Sequence, residues 1–198
     1  MLERIPRRER LDLVIAWLAI AVAFTLIFVR NHVDPLTALA YFGISLLTVG
    51  VGFVLHELAH KFTAMRFGYW AEFRKDNQML LVAVVLAALV GVVFAAPGAT
   101  VVYGDRIDRR QEGLISAAGP VTSLVLALGF AGLFLAVPPG GILWLLGLFG
   151  MRINAMLAAF NMLPVSVLDG RKVLAWHPLV FVVLIAASFV MVYLTYVL

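Results

Sequence analysis

Apolar residues in this chain come in long runs rather than in the short amphipathic stripes of a soluble fold. Six stand out: Leu11 to Val29, Leu36 to Met65, Met79 to Ala96, Gly113 to Val137, Gly141 to Leu163 and Pro178 to Leu198. A helix rises about 1.5 Å per residue and the hydrocarbon core of a bilayer is ~30 Å thick, so each run can span it as a helix. Charged residues collect in the short stretches between the runs. The pattern predicts an all-α polytopic membrane protein with about six transmembrane or re-entrant segments. It is expected to form a single integral membrane domain over residues 1–198, with no soluble module, and no internal repeat is visible in it.

Composition leads independently to the same class. The chain is 64% hydrophobic and 13% charged with a mean hydropathy of +1.04, against roughly 45–50% and about 25% for a soluble domain. Its net charge of +4 lies in clusters near the ends of the runs, where orientation signals act, and gives no reason to expect nucleic acid as a partner. The absence of cysteine excludes disulfides, thiolate metal sites and a cysteine nucleophile, so that any metal must be held by His and carboxylates. Arg4, Arg7, Arg8 and Arg10 precede the first run, which is long for a signal sequence and has no small-residue cleavage site before Arg30. It is therefore expected to be a retained first span, with the N-terminus in the cytoplasm of a multi-pass cell-membrane protein.

The second run leads directly into His56-Glu57-Leu58-Ala59-His60. On a helix, positions i and i+4 lie one turn apart on one face, so both imidazoles can reach one metal while Glu57 reaches its bound water. Orientation then becomes a constraint, because all the ligands must share one depth. With the N-terminus inside, the second span returns inward. The histidines then lie near the cytoplasmic end, followed by Lys61, Arg66, Arg74 and Lys75. A full third crossing over Met79 to Ala96 would leave Arg106, Arg109 and Arg110 outside and would put Asp169 on the far side from the histidines.

A re-entrant excursion removes both conflicts. The helix from Met79 is expected to end at Pro97-Gly98, and the β-prone Ala99 to Tyr103 to return as a short membrane-associated strand. Such backbone is tolerated at that depth only against protein or a water-filled cavity, so the strand is expected to line the site. Its edge could pair with an unwound substrate. A plain sixth crossing is the alternative.

The motif does not name a third ligand. A metzincin third histidine would fall at position 66, which is Arg66. Glu72, with Asp76 four residues on, lies in the charged segment Tyr69 to Gln78 and reads as a ligand or as a solvated loop carboxylate. His32 and His177, next to run ends, fit interfacial roles better than ligation. Asp169 is the stronger candidate, following an apolar run in Asn161-Met162-Leu163-Pro164-Val165-Ser166-Val167-Leu168-Asp169-Gly170. There Pro164 ends regular helix and Gly170 permits a tight turn. A helix cap is the plain alternative for this acid. Gly50 and Gly52, just before the motif, read either as loosening the helix or as packing residues.

At these residues the chain resembles the site-2 protease family of intramembrane zinc metalloproteases, and more closely its compact, archaeal-type members without a PDZ domain. His56 to His60 matches the family's HExxH, Asn161 to Gly170 its N-x-x-P-x-x-x-L-D-G, and Ser116-Ala117-Ala118-Gly119-Pro120 its A-G-P element, in that order. The chain departs from the family at Ser166, where a second proline is frequent, and at Thr122-Ser123, where an asparagine often follows.

The resemblance implies one zinc ion (Zn2+) per chain held by His56, His60 and Asp169, with Glu57 as general base. Asn161 would contact the substrate or the oxyanion. It implies hydrolysis of peptide bonds within or near transmembrane helices of other proteins, with the bilayer as the working environment and the site toward the cytoplasmic side. A non-proteolytic metal-binding protein or a transporter is the alternative, since these also use intramembrane His, Glu and Asp. Against it, the groups gather at one end rather than forming a relay.

Overall fold

The computed structural model describes residues 4–30, 34–93, 97–104 and 107–198. The helices are α1 (Arg7–Phe28), α2 (Pro35–Ser45), α3 (Val51–Arg66), α4 (Asn77–Leu89), α5 (Arg109–Ala136), α6 (Ile142–Asn161), α7 (Asp169–Trp176) and α8 (Pro178–Val197). Strands β1 (Trp70–Lys75) and β2 (Gly98–Tyr103) pair as a two-stranded sheet. A π-helical turn, Leu46–Gly50, joins α2 to α3, so that Pro35–Arg66 is one long helix. Among the described residues, this helix and α1, α5, α6 and α8 make five that are long and apolar enough to cross a membrane, and α4 is a shorter apolar one. The chain is thus an all-α multi-pass membrane protein with a small β element, as its apolar pattern predicts.

The helices are packed by small residues. Ala16, Ala21, Ala127, Ala155 and Ala158 are fully buried, while Leu18, Val125, Leu128 and Val183 face outward. In lipid, outward apolar side chains cost nothing, and close helix approach through small ones supplies the packing.

Two compact units can be distinguished. The first comprises Met1–Val54 and Glu72–Val101, with α1 packed along α2, the π turn and α4. Trp17 Nε1 donates to Leu46 O at 2.9 Å, at the start of the π turn. Its ring covers Gly50 so closely that any side chain there would collide with it. Gly50 is therefore a packing residue. The fully buried Glu9 accepts from Phe73 N at 3.0 Å, fastening the start of α1 to β1.

The excursion after β1 belongs to this unit and is re-entrant. Asp76 caps α4 by accepting from the Gln78 and Met79 N–H groups. The helix's 13 residues rise only about 20 Å, short of a crossing. At its far end Arg30 donates to Leu89 O and Val90 O. Asp76 N–H then donates to Pro97 O at 3.0 Å, so the excursion begins and ends at one place. The break from helix falls earlier than the expected Pro97-Gly98: α4 stops at Leu89 and Gly91 takes a left-handed φ of 80°. The stretch from Val90 onward is apolar throughout, which concealed the turn; residues 94–96 lie outside those described.

The expected loop Tyr69 to Gln78 also contains β1. Ala71 and Phe73 are buried while Trp70 is exposed, an alternation that is visible in the sequence in retrospect.

The second unit comprises Leu55–Ala71 and Val102–Leu198. A capping box starts α5: Gln111 N donates to Asp108 Oδ1 at 2.8 Å, and Asp108 N to Gln111 Oε1. Gly147 and Gly150 of α6 leave room for Phe134 and Phe130 of α5. Ala64 of α3, Ala71 and Ile115 of α5 form a buried cluster against which Val102 packs, so the end of β2 lies on the two helices that build the site described below. Lys61, expected to be a surface orientation charge, is fully buried: its Nζ donates to Ala71 O at 2.8 Å and stands over the Trp70 ring.

Candidate metal centre

All the site residues fall in the second unit. Helix periodicity puts His56 and His60 on one face of α3, 2% and 7% exposed, with ring centroids 4.8 Å apart. Asp169 is the first residue of α7. Its Oδ2 lies 3.5 Å from His56 Nε2 and 3.2 Å from His60 Nε2, and the three candidate ligand atoms fall within 4.8 Å of one another. Two ligands each about 2.0–2.1 Å from a tetrahedral ion stand roughly 3.3 Å apart, so both contacts to the carboxylate have the spacing that zinc requires.

The space between the rings is kept open by a glycine. A β-carbon built on Gly119 would fall 2.5 Å from His56 Nε2 and closer still to His60 Nε2, in the volume that an ion bound to both nitrogens would occupy. The residues therefore fit a zinc ion, and the glycine of the A-G-P element has a physical reason. Two more residues of α5 hold the rings from behind. His60 Nδ1 lies 2.7 Å from Ile115 O, and His56 Nδ1 lies 2.9 Å from Ser123 Oγ. Residues 115, 119 and 123 are spaced by four, like the histidines, so one stripe of α5 faces the ligand stripe of α3. Pro120, inside α5, offers no N–H to Ser116 O and loosens this turn.

The names of proteins similar in sequence also point to zinc. The chain is 41% identical over 180 residues to the provisionally named zinc metalloprotease MJ0611 of Methanocaldococcus jannaschii, covering 91% of this chain and 90% of that one. The chain is a compact member of the site-2 protease family. It is also 31% identical over 161 residues to the zinc metalloprotease Rip2 of Mycolicibacterium smegmatis, covering 73% of this chain and 62% of the other. With YwhC of Bacillus subtilis it shares 29% over 166 residues, covering 71% and 70%; both names are likewise provisional. No family model and no solved structure matches the chain.

In this site-2 protease relative, Asp169 does not serve as a helix cap: Leu168 occupies the cap position of α7 and makes no side-chain cap bond. Burial pushes its carboxyl up, but the His60 and His56 imidazoles beside it prevail and hold it well below the usual carboxylate range. It is thus ionised at neutral pH, as a metal ligand must be. Gly170 does not make a tight turn. It lies within α7, and a side chain there would strike the Met162 carbonyl and stand 2.8 Å from Leu163 O. Glycine lets α7 seat on the end of α6. Ser166, where family members frequently carry proline, has a left-handed φ of 50°, which proline cannot adopt.

The other candidates are engaged elsewhere. Glu72 pairs with Arg74, Asp76 caps α4, and His177 caps α8 by accepting from Val180 N. His32 lies outside the described residues. Among the described residues, His56, His60 and Asp169 are the one group of three that could hold a metal. Glu57 is buried at 8% exposure. Asn161 ends α6 and its Nδ2 donates to Leu157 O at 3.0 Å, one turn back on its own helix. Sequence reasoning missed Gly119 as the opening for the ion and Ser123 as a ring partner. The only local signal was their four-residue spacing beside Pro120.

Proposed function

We propose that the protein is a zinc metalloendopeptidase that hydrolyses peptide bonds within or near the transmembrane segments of other membrane proteins. The observation that carries this is the meeting of His56, His60 and Asp169, their ligand atoms within 4.8 Å of one another, among membrane-spanning helices. The names of its relatives support the metal and the reaction class.

In this reading the three residues hold one zinc per chain. The bound ion would supply Lewis acidity, lowering the pKa of a water from 15.7 to about 7 and polarising a carbonyl. Glu57, adjacent to His56, accepts the proton of the attacking water and delivers it to the leaving amine. The Asn161 carboxamide spends one N–H on Leu157 O and keeps a second for the oxyanion or the substrate backbone.

A substrate helix hides its peptide bonds in its own hydrogen bonds and must unwind locally to react. A two-stranded sheet leaves outer edges on which an unwound segment can pair. Substrates in this reading are single-span proteins or membrane stubs whose helices contain Gly, Pro or Asn. Arg7, Arg8 and Arg10 in the first turn of α1, with Arg109 and Arg110 at the start of α5 and Arg171 and Lys172 in α7, support a cytoplasmic N-terminus and a site toward the cytoplasmic side.

The test is cleavage of a transmembrane peptide by the purified full chain in lipid vesicles, with zinc counted by elemental analysis. Glu57→Gln is expected to retain one zinc per chain and lose at least about 10²–10⁴-fold in rate, and a chelator to abolish cleavage. Cleavage that survives both changes would remove the reading.

A further inference from the structure

Both imidazoles turn Nε2 toward Asp169, so in each ring Nδ1 must carry the proton when Nε2 ligates. The two rings meet this demand differently. His60 Nδ1 faces Ile115 O, a backbone carbonyl that can only accept, and its tautomer follows from the fold. His56 Nδ1 faces the Ser123 hydroxyl, a side chain that can rotate and can be replaced.

The hydroxyl is directed in an unusual way for its setting. Polar side chains in apolar helices commonly donate to the carbonyl one turn back on their own helix. Thr25, Thr48, Thr122 and Ser188 do so here, to Ala21, Ile44, Ala118 and Leu184 O at 2.7–2.8 Å. Ser123 instead meets the ring of another helix at 2.9 Å, and it is fully buried, where no solvent can take over. It lies on the stripe of α5 that carries Ile115 and Gly119. Its place is thus tied to the ligand pair rather than to the packing of its own helix.

We propose that Ser123 is a positioning residue for His56: by accepting the Nδ1–H it fixes the ring's tautomer and orientation and presents Nε2 to the metal. This rests on the metal reading above. Removing the hydroxyl leaves the ring free to rotate and to place its proton on the ligating nitrogen. Partners of this kind behind a ligating histidine typically change metal affinity by about 10–100-fold.

The test is zinc affinity by chelator competition on the full chain in detergent, for wild type, Ser123→Ala, Ser123→Thr, Ser123→Val and His56→Ala. Thermal unfolding of each metal-free protein is measured alongside. Ser123→Ala is expected to weaken zinc binding by about 10–100-fold with unchanged metal-free unfolding. Ser123→Thr should restore most of the loss and the isosteric Ser123→Val none of it. In the peptide assay, Ser123→Ala should lower kcat while KM stays put, since the residue does not touch substrate.

Wild-type affinity in Ser123→Ala, with zinc lost in His56→Ala, overturns this proposal and leaves the metal site standing. Equal losses in the Thr and Val variants, or a matching drop in metal-free stability, mark a packing role and overturn it too. A wild-type chain without zinc overturns the metal reading itself, and this proposal with it.

Discussion

His56 and His60 ride on a regular helix of 16 residues, whereas Asp169 opens a helix of eight after the irregular stretch from Met162 to Leu168. The histidines are almost fully buried; in the loop before Asp169, Val165 is 52% and Val167 79% exposed. One half of the centre is thus set by helix periodicity and braced from behind by α5. The other is set by where a short helix seats, through the close approach of Gly170 to the Met162 carbonyl and the burial of Val173 against Ala117 and Met162. The imidazole pair is preorganised before any ion arrives. The carboxylate is brought to it by tertiary contact, and the loop before it is where the chain departs from its family at Ser166.

The hardest blow to the preorganised half is Gly119→Ala. The added methyl would occupy the ion's volume between the two Nε2 atoms, so zinc content by elemental analysis is expected to fall to background. The metal-free protein should stay folded, because alanine is about 1 kcal/mol better than glycine inside a helix. One zinc per chain at wild-type affinity in this variant would show that the ion is not held between these rings.

The carboxylate half is probed by Asp169→Ala beside Glu72→Ala. Loss of a ligand should cost at least as much as the 10–100-fold typical of losing a mere supporting partner, roughly 100-fold or more in zinc affinity. Glu72, paired with Arg74, should cost nothing measurable. Full zinc retention by the Asp169 variant, or loss in the Glu72 variant, would reassign the third ligand.

How far each half was legible follows the same division. A run of apolar residues and a pair of histidines four apart are local properties, readable along one dimension; hence the spans and the helical half of the site. Asp169 could be nominated because an acid after an apolar run is costly without a partner. What escaped depended on distant contacts. Nothing near Lys61 announces that it will be buried with its Nζ on Ala71 O and over the Trp70 ring, and nothing near Ser123 announces His56, 67 residues earlier. The turn at Gly91 was hidden by apolar neighbours, and Gly170 was misread because glycine has two uses, unusual φ and close approach. The sequence alone does not say which one applies.

The smallest expected effect tests whether the loop itself matters to the carboxylate. Ser166 sits at φ 50°, where a side-chain-bearing residue is strained by roughly 1–2 kcal/mol. Glycine relieves that strain but adds disorder to the unfolded chain, worth about 0.4–1 kcal/mol in the other direction. Ser166→Gly should therefore raise metal-free stability by between zero and about 1.6 kcal/mol in thermal unfolding, with zinc affinity unchanged. Ser166→Pro cannot adopt this φ and must reshape the turn three residues before Asp169. The packing of Gly170 and Val173 seats α7, so zinc affinity is expected to survive the proline while stability falls. A fall in affinity as well would show that the loop, through the bond from Arg171 to Ser166 O, helps to aim the carboxylate.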